Sequence, residues 1–197
     1  MQPYFFKRML EAGCDEVGRG CLAGPVVAAA VILPKNFHHP LLQDSKQMTA
    51  PQRQHVGQCL QQKAVAWAIG QASPAEIDAR NILQASYVAM HRAIACLQPP
   101  PALLLVDGKG FAPYAGIPHQ CFVKGDTFLA PIAAAAVLAK VYRDALMHGL
   151  AQAFPGYGWE TNVGYPTKAH RQAIQQQGIT PHHRVTFRPV ASLATIG

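Results

Sequence analysis

A single α/β domain is the fold class that the sequence predicts, and three observations predict it. The run from Val26 to Leu33 is apolar throughout, the mark of a strand buried on both faces. Short β-like runs at 103–106 and 121–123 alternate with helical patterns, which suits later strands joined through helices. Residues 128–149 form a long Ala-rich helical stretch with one polar stripe, Lys140, Arg143 and Asp144, so that helix is expected to cover one face of the sheet.

In chain order, residues 11–16 and 25–33 read as the two strands of a hairpin, followed by a loop from Pro34 to Pro40. Thr49 is an N-cap residue with Pro51 in the first turn, and its helix runs to about Gln62. Alternation around Val65, Trp67 and Ile69 predicts a third strand over 63–70. Ser73-Pro74-Ala75-Glu76 is a capping box opening a short helix, and Asn81 begins another with Ile82, Leu83, Ala85, Ala89, Ile94 and Leu97 on its apolar face. Pro99-Pro100-Pro101 forces an extended lead-in to the strand at 103–106. Beyond Phe154 the chain is irregular, with a last helix at about 168–177. No linker or internal repeat divides it, so 1–197 is one domain and about 150–197 is a C-terminal helical and irregular extension.

With half of its 197 residues hydrophobic, the chain suits a globular core. No apolar run reaches the roughly 20 residues that span a bilayer. The N-terminus lacks the order of a secretory signal, so the expectation is a cytoplasmic protein with no membrane partner. The five cysteines show no C-x-x-C spacing and read as reduced, and no zinc pattern is present. Seventeen Lys and Arg against ten Asp and Glu leave a net charge of +7, which favours a polyanionic partner.

The acids are few, and four of them sit at the ends of apolar runs: Asp15, Glu16, Asp107 and Asp126. In open α/β sheets the ligand crevice lies at the carboxyl ends of strands. Adjacent carboxylates repel, and a hard divalent cation removes that conflict. One strand end here also carries Gly18-Arg19-Gly20, where glycines on either side of an arginine let the backbone approach a ligand closely. Taken singly, each acid could be a turn residue, an N-cap or part of a solvated hairpin. Neighbours on a regular strand face opposite sides, so Asp15 and Glu16 share a site only if the strand ends, twists or bulges there.

Six blocks together carry a resemblance: Asp15-Glu16-Val17-Gly18-Arg19-Gly20, Asp44-Ser45-Lys46, Val106-Asp107-Gly108, Lys124-Gly125-Asp126, Ala139-Lys140-Val141 with Arg143-Asp144, and Gly164-Tyr165-Pro166-Thr167. In this order the chain resembles the ribonuclease HII family. The resemblance implies a ribonuclease H-like fold, with a central mixed five-stranded sheet flanked by helices and a C-terminal helical segment. It also implies an endonuclease that hydrolyses the RNA strand of RNA–DNA hybrids. Such an enzyme also cuts 5′ of ribonucleotides embedded in duplex DNA, leaving 3′-hydroxyl and 5′-phosphate ends. Departures are Cys21 where the family usually has proline, Asn162-Val163 before Gly164, and Ala136 in place of a common serine.

On that reading Asp15, Glu16, Asp107 and Asp126 are the catalytic and metal-binding residues. They would hold two Mg²⁺ or Mn²⁺ ions roughly 3.5–4 Å apart with substrate, and Asp15 would bridge them. Gly18, Arg19 and Gly20 would read the ribose 2′-hydroxyl, and Tyr165 would stack on the neighbouring sugar. Lys46 and Arg184 are candidates for phosphate contacts. Asp144, four residues beyond Lys140, is expected to be its ion-pair partner and not a catalytic group. Asp78 and Glu160 read as surface residues. A contact with a replication clamp is not legible in the sequence, and a monomer is the default expectation. The rival readings are a nuclease of the same fold that cuts all-DNA substrate, a hybrid-binding protein without catalysis, and an Mg²⁺-dependent phosphatase.

Overall fold

Strand β2 (Val26–Ile32) decides how the layers form, because both of its faces are apolar. Val26, Ala28, Ala30 and Ile32 pack into one core, and Val27, Ala29 and Val31 into another on the opposite side. Every residue of the strand is buried, as a strand between two helical layers requires. A computed structural model of the chain describes residues 1–194; 195–197, the end of the expected C-terminal extension, lie outside the described residues.

The sheet has five strands in the order β3-β2-β1-β4-β5. Strands β1 (Glu11–Val17), β2 and β3 (Ala66–Ala72) are antiparallel neighbours, whereas β4 (Leu103–Asp107) and β5 (His119–Phe122) run parallel to β1. The mixed ribonuclease H-like sheet expected from the sequence is therefore present. Helix α1 (Ala50–Lys63) starts at the expected Thr49 capping box. Helix α2 (Pro74–Arg80) starts at the Ser73–Glu76 box, and α3 (Ile82–Ala95) at the Asn81 cap. Helix α3 covers one face of the sheet; α4 (Ala130–Ala153), with α1 beyond it, covers the other.

Several boundaries differ from expectation. The strand expected at 63–70 begins only at Ala66, because Lys63 completes α1 and Val65 N–H is spent on Ile32 C=O at the sheet edge. Strand β5 begins at His119, which pairs with Leu104. The Ala-rich helix extends to Ala153, where Phe154 N–H closes the last turn on Leu150 C=O. Two short helices, α5 (Trp159–Asn162) and α7 (Arg188–Ala194), were not expected, and they flank α6 (Lys168–Gln177). Among the described residues no helix is long and apolar enough to cross a membrane.

Glycine sets the closest contact between layers. A Cβ at Gly13 would stand 2.0 Å from the carbonyl carbon of Pro131 and 2.4 Å from Ile132 N, so α4 rests directly on the β1 backbone. The first turn of α4 has no side-chain cap; Ala130 N–H instead donates to Gln2 C=O at 2.8 Å.

A further core cluster closes the C-terminal half, with Trp159, Tyr157, Met147 and Ile174 packed against Leu22 and Ala23. His170 and His183 are enclosed beside Trp159. Burial, and after it the neighbouring His170, push His183 down from its ordinary 6.5 to about 4. The unfolded chain therefore takes up the proton first as pH falls. The stability contributed by the neutral ring is complete above pH 6.5 and is lost between about 6.5 and 4. At about 1.4 kcal/mol per unit the loss reaches at most about 3.5 kcal/mol. Urea unfolding at pH 7 and pH 4.5 should show a shallower pH dependence for His183→Gln than for the wild type.

Candidate active site

Strands β1 and β4 run parallel and their ladder ends at Cys14 opposite Val106, so Asp15 and Asp107 each follow by one residue. Cys14 and Val106 face the α3 layer, and alternation turns the next residues toward α4. Asp126 lies in a single 3-10 turn, Gly125–Thr127, just ahead of α4. Gly125 N–H donates to Asp107 Oδ1 at 2.8 Å, which ties that turn to the end of β4. Three chain segments thus bring the four acids named from sequence to one edge of the sheet. Asp15 and Asp126 are buried, at 7% and 3% exposure.

The sequence makes a shared site for Asp15 and Glu16 depend on a break in the strand, and β1 shows no such break. Strand β1 stays regular to Val17, with Glu16 opposite Ala28 and Val17 opposite Val27, so the two carboxylates face opposite sides. The two still act on each other, Glu16 being the strongest charge influence on Asp15, and the charge of Asp107 acts on both. Glu16 lines a cleft of about 600 Å³ whose walls include Tyr87 and Met90, with Arg19, Lys109 and Lys124 as its cations.

The acids disfavour one another's charge. Burial, then Glu16 and Asp107, and more weakly Asp126, hold the Asp15 carboxyl well above its usual range. Burial and then Asp126 raise Asp107. Burial also raises Glu16, although an ion pair with Arg19 at 3.1 Å partly offsets it. The nearby cations are exposed: Lys46 Nζ is 3.6 Å from Asp126 Oδ2 and its side chain is 81% open to solvent. A buried, all-oxygen donor set short of positive charge suits a hard divalent cation such as Mg²⁺ or Mn²⁺. Among the described residues no three acid, histidine or cysteine side chains already enclose a single metal position. The fit is therefore one of donor chemistry and charge.

The Gly18–Gly20 turn lies on two buried guanidinium groups. Arg143, in the middle of α4, donates to Pro25, Ala23 and Val163 carbonyls at 2.8–3.0 Å. Arg184 donates twice to Gly24 C=O and once to Arg19 C=O. Gly18, at φ +91°, could carry no side chain here, because a Cβ would meet Arg143 Nε at 2.2 Å. The expectation that Arg184 contacts phosphate is corrected: the residue is wholly buried and its named donors are spent on backbone carbonyls. Sequence reasoning placed Arg143 in a polar stripe and missed this grip, whose partners lie more than a hundred residues away for two of its three bonds.

Tyr165 stands beside the same turn. Leu22 N–H donates to Gly164 C=O at 2.8 Å, and the Cys21 thiol donates to Val163 C=O at 3.8 Å and acts on the Tyr165 hydroxyl. Lys140 Nζ lies 6.0 Å from the Tyr165 ring centre and 2.7 Å from Asp144, the expected ion pair. Arg53 joins Asp144 at 3.9 Å and holds the carbonyls of Ser45 and Met48, steadying the Asp44–Lys46 loop. Asp78, expected at the surface, accepts there from the backbone N–H groups of Val185 and Thr186 and so fastens the C-terminal segment.

The ribonuclease HII family model matches residues 12–190. The ribonuclease HII of Porphyromonas gingivalis is 54% identical over 187 residues, covering 95% of this chain and 93% of that protein. Among solved structures, the ribonuclease H2 of Pyrococcus horikoshii superposes with a TM-score of 0.81 at 24% identity, covering 95% of this chain and 98% of that one. Bst-RNase HIII in complex with Mn²⁺ superposes with a TM-score of 0.73 at 16% identity, covering 95% and 70%. At those identities the two structures bear on the fold alone.

Proposed function

The chain belongs to the ribonuclease HII family and is a ribonuclease H endonuclease, and from that premise we propose that it also cuts 5′ of single ribonucleotides embedded in duplex DNA, leaving 3′-hydroxyl and 5′-phosphate ends. The observation that carries the proposal is the gathering of Asp15, Glu16, Asp107 and Asp126 beside the Gly18–Gly20 turn and Tyr165.

The proposed cofactors are two Mg²⁺ or Mn²⁺ ions, which Asp15, Glu16, Asp107 and Asp126 would hold. When bound, such ions lower the pKa of an attacking water and stabilise the leaving oxygen of an in-line displacement. Asp15 would be the central member of that set, because the other three acids all act on its charge. The Gly125 N–H bond orients Asp107, which like Asp15 follows the end of the β1–β4 ladder by one residue. In the Gly18–Gly20 turn the backbone has no side-chain barrier toward a 2′-hydroxyl in a shallow minor groove. Tyr165, 38% exposed, offers its ring to the sugar next to the ribonucleotide. Lys46 is the candidate for a phosphate contact, being exposed and held only by a 3.6 Å pair. The cations of the cleft, Arg19, Lys109 and Lys124, and the net charge of +7 favour a polyanionic substrate.

A labelled duplex carrying one ribonucleotide, assayed with Mg²⁺ and with EDTA beside an all-DNA control, tests the proposal. Cleavage at the ribonucleotide only with Mg²⁺, and none of the control, is expected. Cutting of the all-DNA duplex, or cutting that survives EDTA, would overturn it.

A further inference from the structure

We propose that His170 is a positioning residue for Tyr165, acting through a buried hydrogen-bond relay that only one arrangement of protons satisfies. The inference rests on the assignment of Tyr165 to the sugar next to the ribonucleotide.

The proton positions follow from the donors. His183 Nδ1 lies 2.9 Å from Thr180 N–H, which can only donate, so Nδ1 carries no proton and the neutral ring is protonated at Nε2. That nitrogen lies 3.3 Å from His170 Nε2. Trp159 Nε1–H, again a donor only, points at the same His170 Nε2 from 3.0 Å. His170 Nε2 is therefore the acceptor, its one lone pair facing Trp159 at 3.0 Å and shared with His183 at 3.3 Å, and the proton of this ring sits on Nδ1. From there it is donated to Tyr165 C=O at 3.0 Å. Both imidazoles are neutral and buried, at 0% and 2% exposure.

The relay completes an anchorage of three successive carbonyls. Arg143 holds Val163 C=O, Leu22 N–H holds Gly164 C=O, and His170, together with Thr167 N–H, holds Tyr165 C=O. The first two bonds fasten the loop to the Gly18–Gly24 side. The third comes from α6 and sets the backbone from which the exposed Tyr165 ring projects. Without it the ring must be ordered when substrate binds, and that cost falls on recognition.

A double-mutant cycle separates positioning from mere structural support. Cleavage of the single-ribonucleotide duplex is measured for wild type, His170→Ala, Tyr165→Ala and the double variant, at a temperature well below the lowest unfolding midpoint. His170→Ala should lower kcat/KM by about tenfold, the scale of one buried hydrogen bond. In the Tyr165→Ala background the same change should cost less than about twofold, because its only route of action is gone. His170→Asn, whose amide N–H can stand near the Nδ1 position, should recover most of the loss. If the alanine variant does not fold, His170→Leu fills the space without a donor and takes its place in the cycle. A full tenfold loss that persists without Tyr165, or an unaltered rate in His170→Ala, would overturn the positioning role. An undiminished rate in Tyr165→Ala would instead overturn the assignment of Tyr165 itself.

Discussion

Asp15→Asn is expected to lower turnover by about three orders of magnitude, the scale on which a preorganised catalytic set loses one member, while raising the thermal midpoint of the protein in EDTA. The two effects have one origin. Asp15 is buried among three other carboxylates, so its charge is disfavoured in the folded chain. A folded pKa above the free value means that stability falls as pH rises through the interval between them. Asparagine keeps the shape and omits the charge. The gap between variant and wild-type midpoints should therefore be small near pH 4 and widen toward pH 8, at about 2–4 °C per kcal/mol relieved. Adding Mg²⁺ should narrow the gap by stabilising the wild type. Equal midpoints across that pH range in EDTA, or turnover close to wild type, would refute the assignment.

Gly13→Ala is expected to destabilise the fold by about 3 kcal/mol or more, at the upper end for an overpacked core site. The intruding methyl group meets backbone, the carbonyl of Pro131 and the amide of Ile132, and not the movable end of a side chain. Relief requires α4 to lift from β1. Because Asp126 precedes α4 and Asp15 follows Gly13 by two residues, such a shift also separates the acids, and activity should fall at temperatures where the variant remains folded. Urea unfolding and cleavage assays measure the two effects separately. A variant as stable as wild type would show that the β1–α4 contact is looser than described.

The sheet, its flanking helices and the four acids were legible because each leaves a local mark. An all-apolar run signals burial on both faces, a capping box signals a helix start, and a carboxylate at a strand end stands out in a chain with only ten acids. What was not legible depends on partners remote in sequence. Arg184 looked like a basic residue in a loop, yet its partner Gly24 is 160 residues away. Asp78 looked solvated, yet it accepts from residues 107 and 108 positions further on. His170 and His183 lie thirteen residues apart, and their relay is formed only when the C-terminal segment folds back on α6. Short helices such as Trp159–Asn162 are set by tertiary contacts, and four residues are too few to display a period.

The two interior guanidiniums hold main-chain oxygens from Arg19 to Pro25 and at Val163 and touch none of those side chains as hydrogen-bond acceptors. Every residue type supplies the same oxygen, so this scaffold is indifferent to much of the lettering it supports. Gly18, Gly24 and Gly164, where added atoms would collide with Arg143, Met147 or the Ala23 carbonyl, are denied that latitude. A cysteine at position 21 can thus replace the residue usual in the family while the curve of the chain is kept, whereas Val163 offers its carbonyl to Arg143 from a left-handed backbone, φ +41°, that branched side chains disfavour. Variation at position 21 should alter what the turn touches and leave its course through space unchanged.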